Sequence, residues 1–290
     1  MAGSVETKRV VIENLVKTTP AKSTSATPRA HGAVRFTVKT RENGTALKTL
    51  RQSGSFRALF PQAFGPDFQT VLINTAGGVT GGDTFNTKAT AQSGSKLTIT
   101  TQAAERAYRA IPGETGRICN HVVIEPGARV NWLPQETILF QGSAIQRSLK
   151  VEMTDDASLL MVEPLVFGRK MMGEVLTDAS FTDRIEILRQ DKIAYLDTIR
   201  LRGNIAEQMA RPHVAAGASA MASLVYIAKD ADARFAAVRS MVGDTGGASM
   251  IGDDILNLRL LASDSYLLRK TLIPILNLLT TTTLPRCWMI

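Results

Sequence analysis

Four times along this chain a run of alternating apolar and polar residues is followed by a tight turn and a second alternating run. In residues 85–92, Phe85, Thr87, Ala89 and Ala91 share one face, while Asn86, Lys88, Thr90 and Gln92 share the other. A period of two marks a half-buried strand, because successive side chains of a strand point to opposite faces. After the turn at Gly94, Leu97 and Ile99 point inward against Lys96, Thr98 and Thr100. The unit recurs at residues 121–135, 148–164 and 184–199, and its turn residues Gly94, Gly127, Asp156 and Asp191 lie 33, 29 and 35 positions apart. A period near thirty predicts a mainly β fold of stacked or solenoid-like β-sheet layers. A sandwich of regular hairpins has the same alternation and stays open at this level.

Helical spacing enters only late, and it predicts two α-helices near the C-terminus. Asp230 or Asp232 caps a segment carrying Ala231, Phe235, Val238 and Val242, closed by Gly243. After a strand at residues 255–261, Ser263 or Asp264 caps a second helix with Leu268, Leu272, Ile275 and Leu279 on one stripe. Pro274 should kink or restart that helix, since proline lacks the amide donor and crowds the preceding turn. Residues 1–30, rich in Ser, Thr and Lys, read as a mobile tail ahead of a single domain over 31–290.

Composition narrows the functional classes. The 290 residues suffice for one sizeable core. Lys plus Arg number 34 against 26 Asp plus Glu, a net charge of +8, yet the cations occur as pairs such as Lys8-Arg9 and Arg269-Lys270, without the basic runs of a nucleic-acid binder. The surplus suits a surface for protein partners. The two cysteines, Cys119 and Cys287, form no disulfide ladder, which implies a reducing compartment. No secretory signal is evident, and the longest apolar region, residues 267–279, is broken by Arg269, Lys270, Pro274 and Asn277. The expectation is a cytoplasmic protein that engages neither membrane nor nucleic acid.

The sharpest local motif is LINTAGGVTGGD (72–83), with glycines at Gly77, Gly78, Gly81 and Gly82 and a carboxylate at Asp83. It lacks the Gly-Lys-Ser/Thr ending of a phosphate loop and the GxGxxG spacing of a dinucleotide site. Close backbone approach between packed strands accounts for its glycines. Neither GxSxG nor SxxK is present, and His31, His121 and His213 have no recognisable nucleophile beside them. Cys119 and His121 share one face of a strand, but two ligands do not make a closed metal site. Glu105, Glu136, Glu163 and Glu174 each sit beside apolar strand sequence. They line a common groove, or they pair with Arg106, Arg109 and Arg169 as internal ion pairs.

Four motifs in order and spacing, LINTAGGVTGGD, TTQAAERAYR (100–109), WLPQETILF (132–140) and LPRCW (284–288), resemble the UreD family of urease accessory proteins, called UreH in some bacteria. The resemblance runs from about His31 to the C-terminus and makes residues 31–290 a UreD-like domain. It implies a stacked-sheet fold, no catalytic activity of its own, and a complex with UreF and the GTPase UreG on apo-urease that assists nickel insertion. It also implies a polar internal passage, for which Asp83 and Glu136 become lining candidates, with Glu105 and Glu163 beside them. Where many members read Thr-Lys-Phe-Tyr-Arg, this chain has Glu105-Arg106-Ala107-Tyr108-Arg109, so no lysine role carries over.

On this reading nickel is in transit and no cofactor is permanently bound. A tight site of several His or Cys ligands would compete with urease for the ion, whereas carboxylates and carbonyls are hard, weaker ligands for it. No tight metal site is therefore predicted. Two other classes remain in view: a pure assembly scaffold that bridges UreF and urease without conducting nickel, and an unrelated β-solenoid carbohydrate-active enzyme. The second would need an aromatic groove, which 6% aromatic content supports poorly.

Overall fold

The structure is a computed structural model that describes residues 27–62, 67–280 and 282–289. Each alternating run becomes a strand. The first half of the chain holds β1 (His31–Arg41), β2 (Gly44–Gly54), β3 (Phe56–Leu59), β4 (Phe68–Asn74), β5 (Thr84–Ala91), β6 (Lys96–Thr101), β7 (Glu105–Ala107), β8 (Gly116–Ile124) and β9 (Arg129–Leu133). The second half holds β10 (Thr137–Leu139), β11 (Ala144–Met153), β12 (Ser158–Phe167), β13 (Ala179–Arg189), β14 (Lys192–Gly203), β15 (Ala220–Ile227), β16 (Gly246–Ile251) and β17 (Ile255–Ala262). Three α-helices are interspersed: α1 (Ile205–Ala210), α2 (Ala231–Met241) and α3 (Ser265–Leu279).

Two sheets face each other. One has the order β14-β13-β11-β8-β5-β1-β2, the other β16-β17-β15-β12-β9-β6-β4-β3. The repeating unit is an arch, not a hairpin: β5, β8 and β11 lie in the first sheet, and the strands that follow them, β6, β9 and β12, lie in the second. Like strands stack in parallel, β5 on β8 on β11 and β6 on β9 on β12, which is the solenoid arrangement. Alternation alone could not separate these cases, because both strands of an arch and both strands of a hairpin present one apolar face to the same core. The arch turns stack as well, with Gly94 N donating to Pro126 O at 2.9 Å. Of the four repeated units, only residues 184–199 form a true hairpin, the antiparallel pair β13·β14. A third, narrow parallel ladder closes the long side of each rung, through Val79 to Ala107, β7 to β10, and β10 to the end of β12.

The ends of the stack are antiparallel. The β1·β2 hairpin covers one end and β14 the other, while β15, β17 and β16 extend the second sheet. Such covers limit the open edge that a parallel stack would otherwise offer to another chain. The main core lies between the sheets, and a second core lies where α2, α3 and the 3-10 turn Arg286–Trp288 cover the outer face of β15 and β17. With both its faces covered, β15 is buried at all eight positions, which explains its unbroken apolar sequence AMASLVYI.

Helices α2 and α3 form where the spacing predicts them, but the expected cap of α2 does not: Asp230 stands at its N-cap and binds Tyr226 and Arg234 instead of a backbone amide of the helix. Asp264 caps α3 by accepting from Leu267 N at 2.8 Å. Pro274, expected to kink or restart that helix, lies inside it without ending it. The apolar stripe Leu268, Leu272, Ile275, Leu276 and Leu279 is buried along the helix and holds both halves on the sheet. The short α1 was not anticipated. Its six residues are too few to display a 3.6-residue period, and its visible cue is the Asn204 side chain accepting from Glu207 N. Of the expected tail, residues 1–26 lie outside the described residues. Arg29 pairs with Glu114, and Ala30 N donates to Asp83 Oδ1 at 2.8 Å.

Candidate functional site

The parallel register puts the inward residues of successive rungs in columns. Ala89, Val122, Val151 and Ile187 form one column, apolar throughout. The column at the other end of the same strands is Phe85, Ile118, Arg147 and Asp183, apolar for two rungs and charged for two. Opposite it, the inward positions of β12 run Leu159, Met161 and Glu163. At this end the two sheets enclose a cavity of about 170 Å³. Its walls include Phe85, Ile118 and Trp132 together with Asn74, Asn120, Thr137, Arg147, Glu105 and Glu163. Gln102, Ala103 and Ala104, from the segment joining β6 to β7, and Arg106 of β7 line it on the solvent side.

Three charged groups are buried together at the inner end. The Arg147 guanidinium donates through Nε and Nη2 to the two oxygens of Asp183, at 3.1 and 2.6 Å, and through Nη1 to Thr137 Oγ1 at 3.0 Å. Its Nη1 also lies 2.6 Å from Glu163 Oε2. Trp132 Nε1 donates to Glu163 Oε1 at 2.8 Å. Burial works against the Arg147 charge, but the Asp183 and Glu163 carboxylates more than offset it, so the guanidinium pKa is raised. Burial pushes the Glu163 carboxyl above the ordinary glutamate range, Arg147 pulls it down, and Asp183 pushes it up again.

Glu105 stands on the outer side of the cavity. Burial pushes its carboxyl up to about 7, against the lowering effect of the Asn74 side chain. Asn74 Nδ2 donates to its oxygens at 3.2 and 3.3 Å. Of the four passage candidates, Glu105 and Glu163 thus share one enclosure. Asp83 and Glu136 lie outside its lining. Asp83 accepts from two backbone amides, Ala30 N at Oδ1 and Thr80 N at Oδ2, both at 2.8 Å, and so fixes the turn of the glycine motif. Glu136 faces Arg269 of α3 at 3.1 and 3.2 Å, and Arg269 also donates to Trp288 O at 3.0 Å, which ties the C-terminal turn to β10.

The glycine motif packs backbone closely. A Cβ on Gly78 would lie 2.2 Å from the Tyr108 ring, and one on Gly81 would lie 2.7 Å from Glu114 Cβ. Gly78→Ala is expected to cost roughly 1–3 kcal/mol through overpacking. The check is a lower urea midpoint at unchanged slope, and an unchanged midpoint would mean that Tyr108 yields freely. Gly77 lines the cavity, and its carbonyl accepts from the Tyr108 hydroxyl at 3.2 Å.

Cys119 is exposed on the outer face of β8, and His121 Nε2 faces Glu152 there at 3.3 Å. Among the described residues, no three His, Cys, Asp or Glu side chains converge on a point where they could hold a metal ion. Sequence reasoning missed Arg147 and Asp183. The signal was their parity: Arg147 stands two before Leu149 and Asp183 two before Ile185, so both fall on the inward face. A charge at an inward position of an apolar strand has to find a counter-charge in the core.

Stacked arches around an interior that carries Arg147, Asp183 and Glu163 make this a β-solenoid-like protein. Comparison with known sequences is more specific. The family model described as UreD urease accessory protein matches residues 30–289, and the chain belongs to that family. A urease accessory protein UreD of Ruegeria pomeroyi is 54% identical over 246 residues, covering 85% of this chain and 96% of the relative. Its counterpart in Roseobacter denitrificans is 50% identical over 261 residues, covering 90% and 95%, and that of Agrobacterium fabrum is 36% identical over 261, covering 90% and 91%. The family places the chain in urease maturation as an accessory protein. No helix among the described residues is long and apolar enough to cross a membrane.

Proposed function

We propose that the chain is a non-catalytic scaffold that works in the cytoplasm with UreF and UreG on apo-urease, and that nickel passes through its interior cavity on the way to the urease active site. The observation that carries the reading is the placement of Glu105 and Glu163 on one enclosure between the sheets. Each carboxylate offers a divalent cation a hard, weak ligand, and the enclosure also carries amide groups of Asn74, Asn120 and Gln135. An ion held by so few ligands leaves readily, as cargo must. In this scheme Asp83 and Glu136 shape the walls from outside, one by fixing the glycine turn and the other by anchoring α3.

The test is nickel-dependent urease activation by the co-purified assembly at limiting nickel. Glu105→Gln with Glu163→Gln keeps the size of both side chains, but an amide at position 163 cannot accept from both Trp132 and Arg147, so the melting temperature should fall somewhat, and activation should fall several-fold in preparations whose assembly is intact. Ala104→Trp narrows the solvent side of the lining and should lower activation in the same way. Undiminished activation with the assembly intact would favour a scaffold that bridges its partners while nickel travels elsewhere.

A further inference from the structure

The surface beside the cavity's solvent side combines cations outside any ion pair of the described residues with exposed apolar side chains. Arg106 and Arg109 are exposed on the segment that carries β7, and among the described residues neither meets a carboxylate in an ion pair. Tyr108, between them, sets its ring edge against Phe140 at 5.1 Å, and Arg169 lies over the other part of that ring at 4.1 Å. The chain then continues through Lys170 to Met171 and Met172, which are 96% and 75% exposed. Arg169 is already paired with Glu174, and Glu114 is taken by Arg29, so neither carboxylate pairs with Arg109 or Lys170, while Arg106 acts on the neighbouring Glu105 carboxyl without forming an ion pair. Lys170 donates to the Ser263 carbonyl at 3.4 Å.

We infer that this face docks a protein surface that presents carboxylates among apolar side chains, and that in urease maturation the partner so held is apo-urease. Charge complementarity selects the chemistry: three cations outside the ion pairs of the described residues, set around an apolar centre, favour an acidic and apolar surface over a basic or purely polar one. The methionines suit such a contact, since unbranched thioether side chains repack against irregular surfaces. The choice of urease rests on the maturation role proposed above, since urease is the protein on which that role acts, and not on nickel passing through the cavity.

The experiment measures binding of the chain, co-purified with UreF, to nickel-free urease apoprotein at low and high salt, with no nickel added. Arg106→Glu with Arg109→Glu and Lys170→Glu should weaken binding about tenfold or more, and raised salt should weaken the wild type in the same direction. Met171→Asp with Met172→Asp, at positions too exposed to affect folding, should weaken it as well, with an unchanged melting temperature. The control Arg51→Glu with Lys192→Glu makes a similar charge change on the end strands β2 and β14 and should bind as the wild type does. Wild-type binding by both patch variants would overturn the inference, and so would loss of UreF from the preparation with urease binding intact. Because nickel is absent, failure here leaves the passage reading standing. Normal activation by the Glu105 and Glu163 variants would remove that reading without touching this one.

Discussion

Arg147→Met is expected to lower stability by about 3–5 kcal/mol at neutral pH, because it leaves two carboxylates buried without their counter-charge. Arg147, Asp183 and Glu163 are only 5%, 3% and 4% exposed, so water cannot take over the lost role. At about 2–4 °C per kcal/mol for a domain approaching this size, the melting temperature should fall by roughly 10 °C. The deficit should also depend on pH. In the wild type the folded Glu163 carboxyl already sits above the ordinary value of 4.5, so its ionisation draws down stability as pH rises through the folded value. Removal of Arg147 takes away the group that pulls it down and raises it further. The difference between variant and wild type should therefore be largest at pH 8 and shrink toward pH 5, as the proton returns. Thermal unfolding at several pH values checks this, and a pH-independent deficit would mean that lost packing, not charge, is the cause.

Trp288→Ala should cost a similar amount, about 3–5 kcal/mol, by opening a cavity in the second core. Trp288 is 1% exposed, and its Nε1 donates to Leu133 O at 3.0 Å, which fastens the C-terminal turn to β9. Arg269 lies 5.1 Å over its ring and links the same turn to Glu136. Loss of the ring therefore loosens α3, which covers β15 and β17, more than it loosens the stacked arches. Hydrogen exchange should show α3 amides deprotected while β8 and β11 stay protected. Equal loss of protection in both would mean that the two cores unfold as one unit.

These two sites differ in how far the chain alone disclosed them. Residues 284–288 carry a family motif, and the apolar stripe of α3 marks a face to be covered, but nothing local tells that Arg269 reaches Glu136, 133 positions earlier. The Arg147 cluster was hidden for a different reason. Its three charges come from three strands, and only the stacking of β11 on β13 and the facing of β12 bring them within bonding distance. Asp83 illustrates the reverse case. The family resemblance makes it a candidate for lining a passage, while the folded backbone engages both of its oxygens with amides.

What the sequence by itself determined is the β character, the period near thirty, the late helices and the family, because alternation, turn residues and capping act over a few neighbouring residues. Whether each turn closes a hairpin or an arch was decided by the tertiary structure alone, since both bury the same face and differ only in which strands pair. The same holds for the interior. Glu105 and Glu163 share a cavity, and Asp83 and Glu136 do not, because parallel stacking converts sequence separations of about thirty residues into adjacent rungs, and no residue carries a local sign of which rung lies above it.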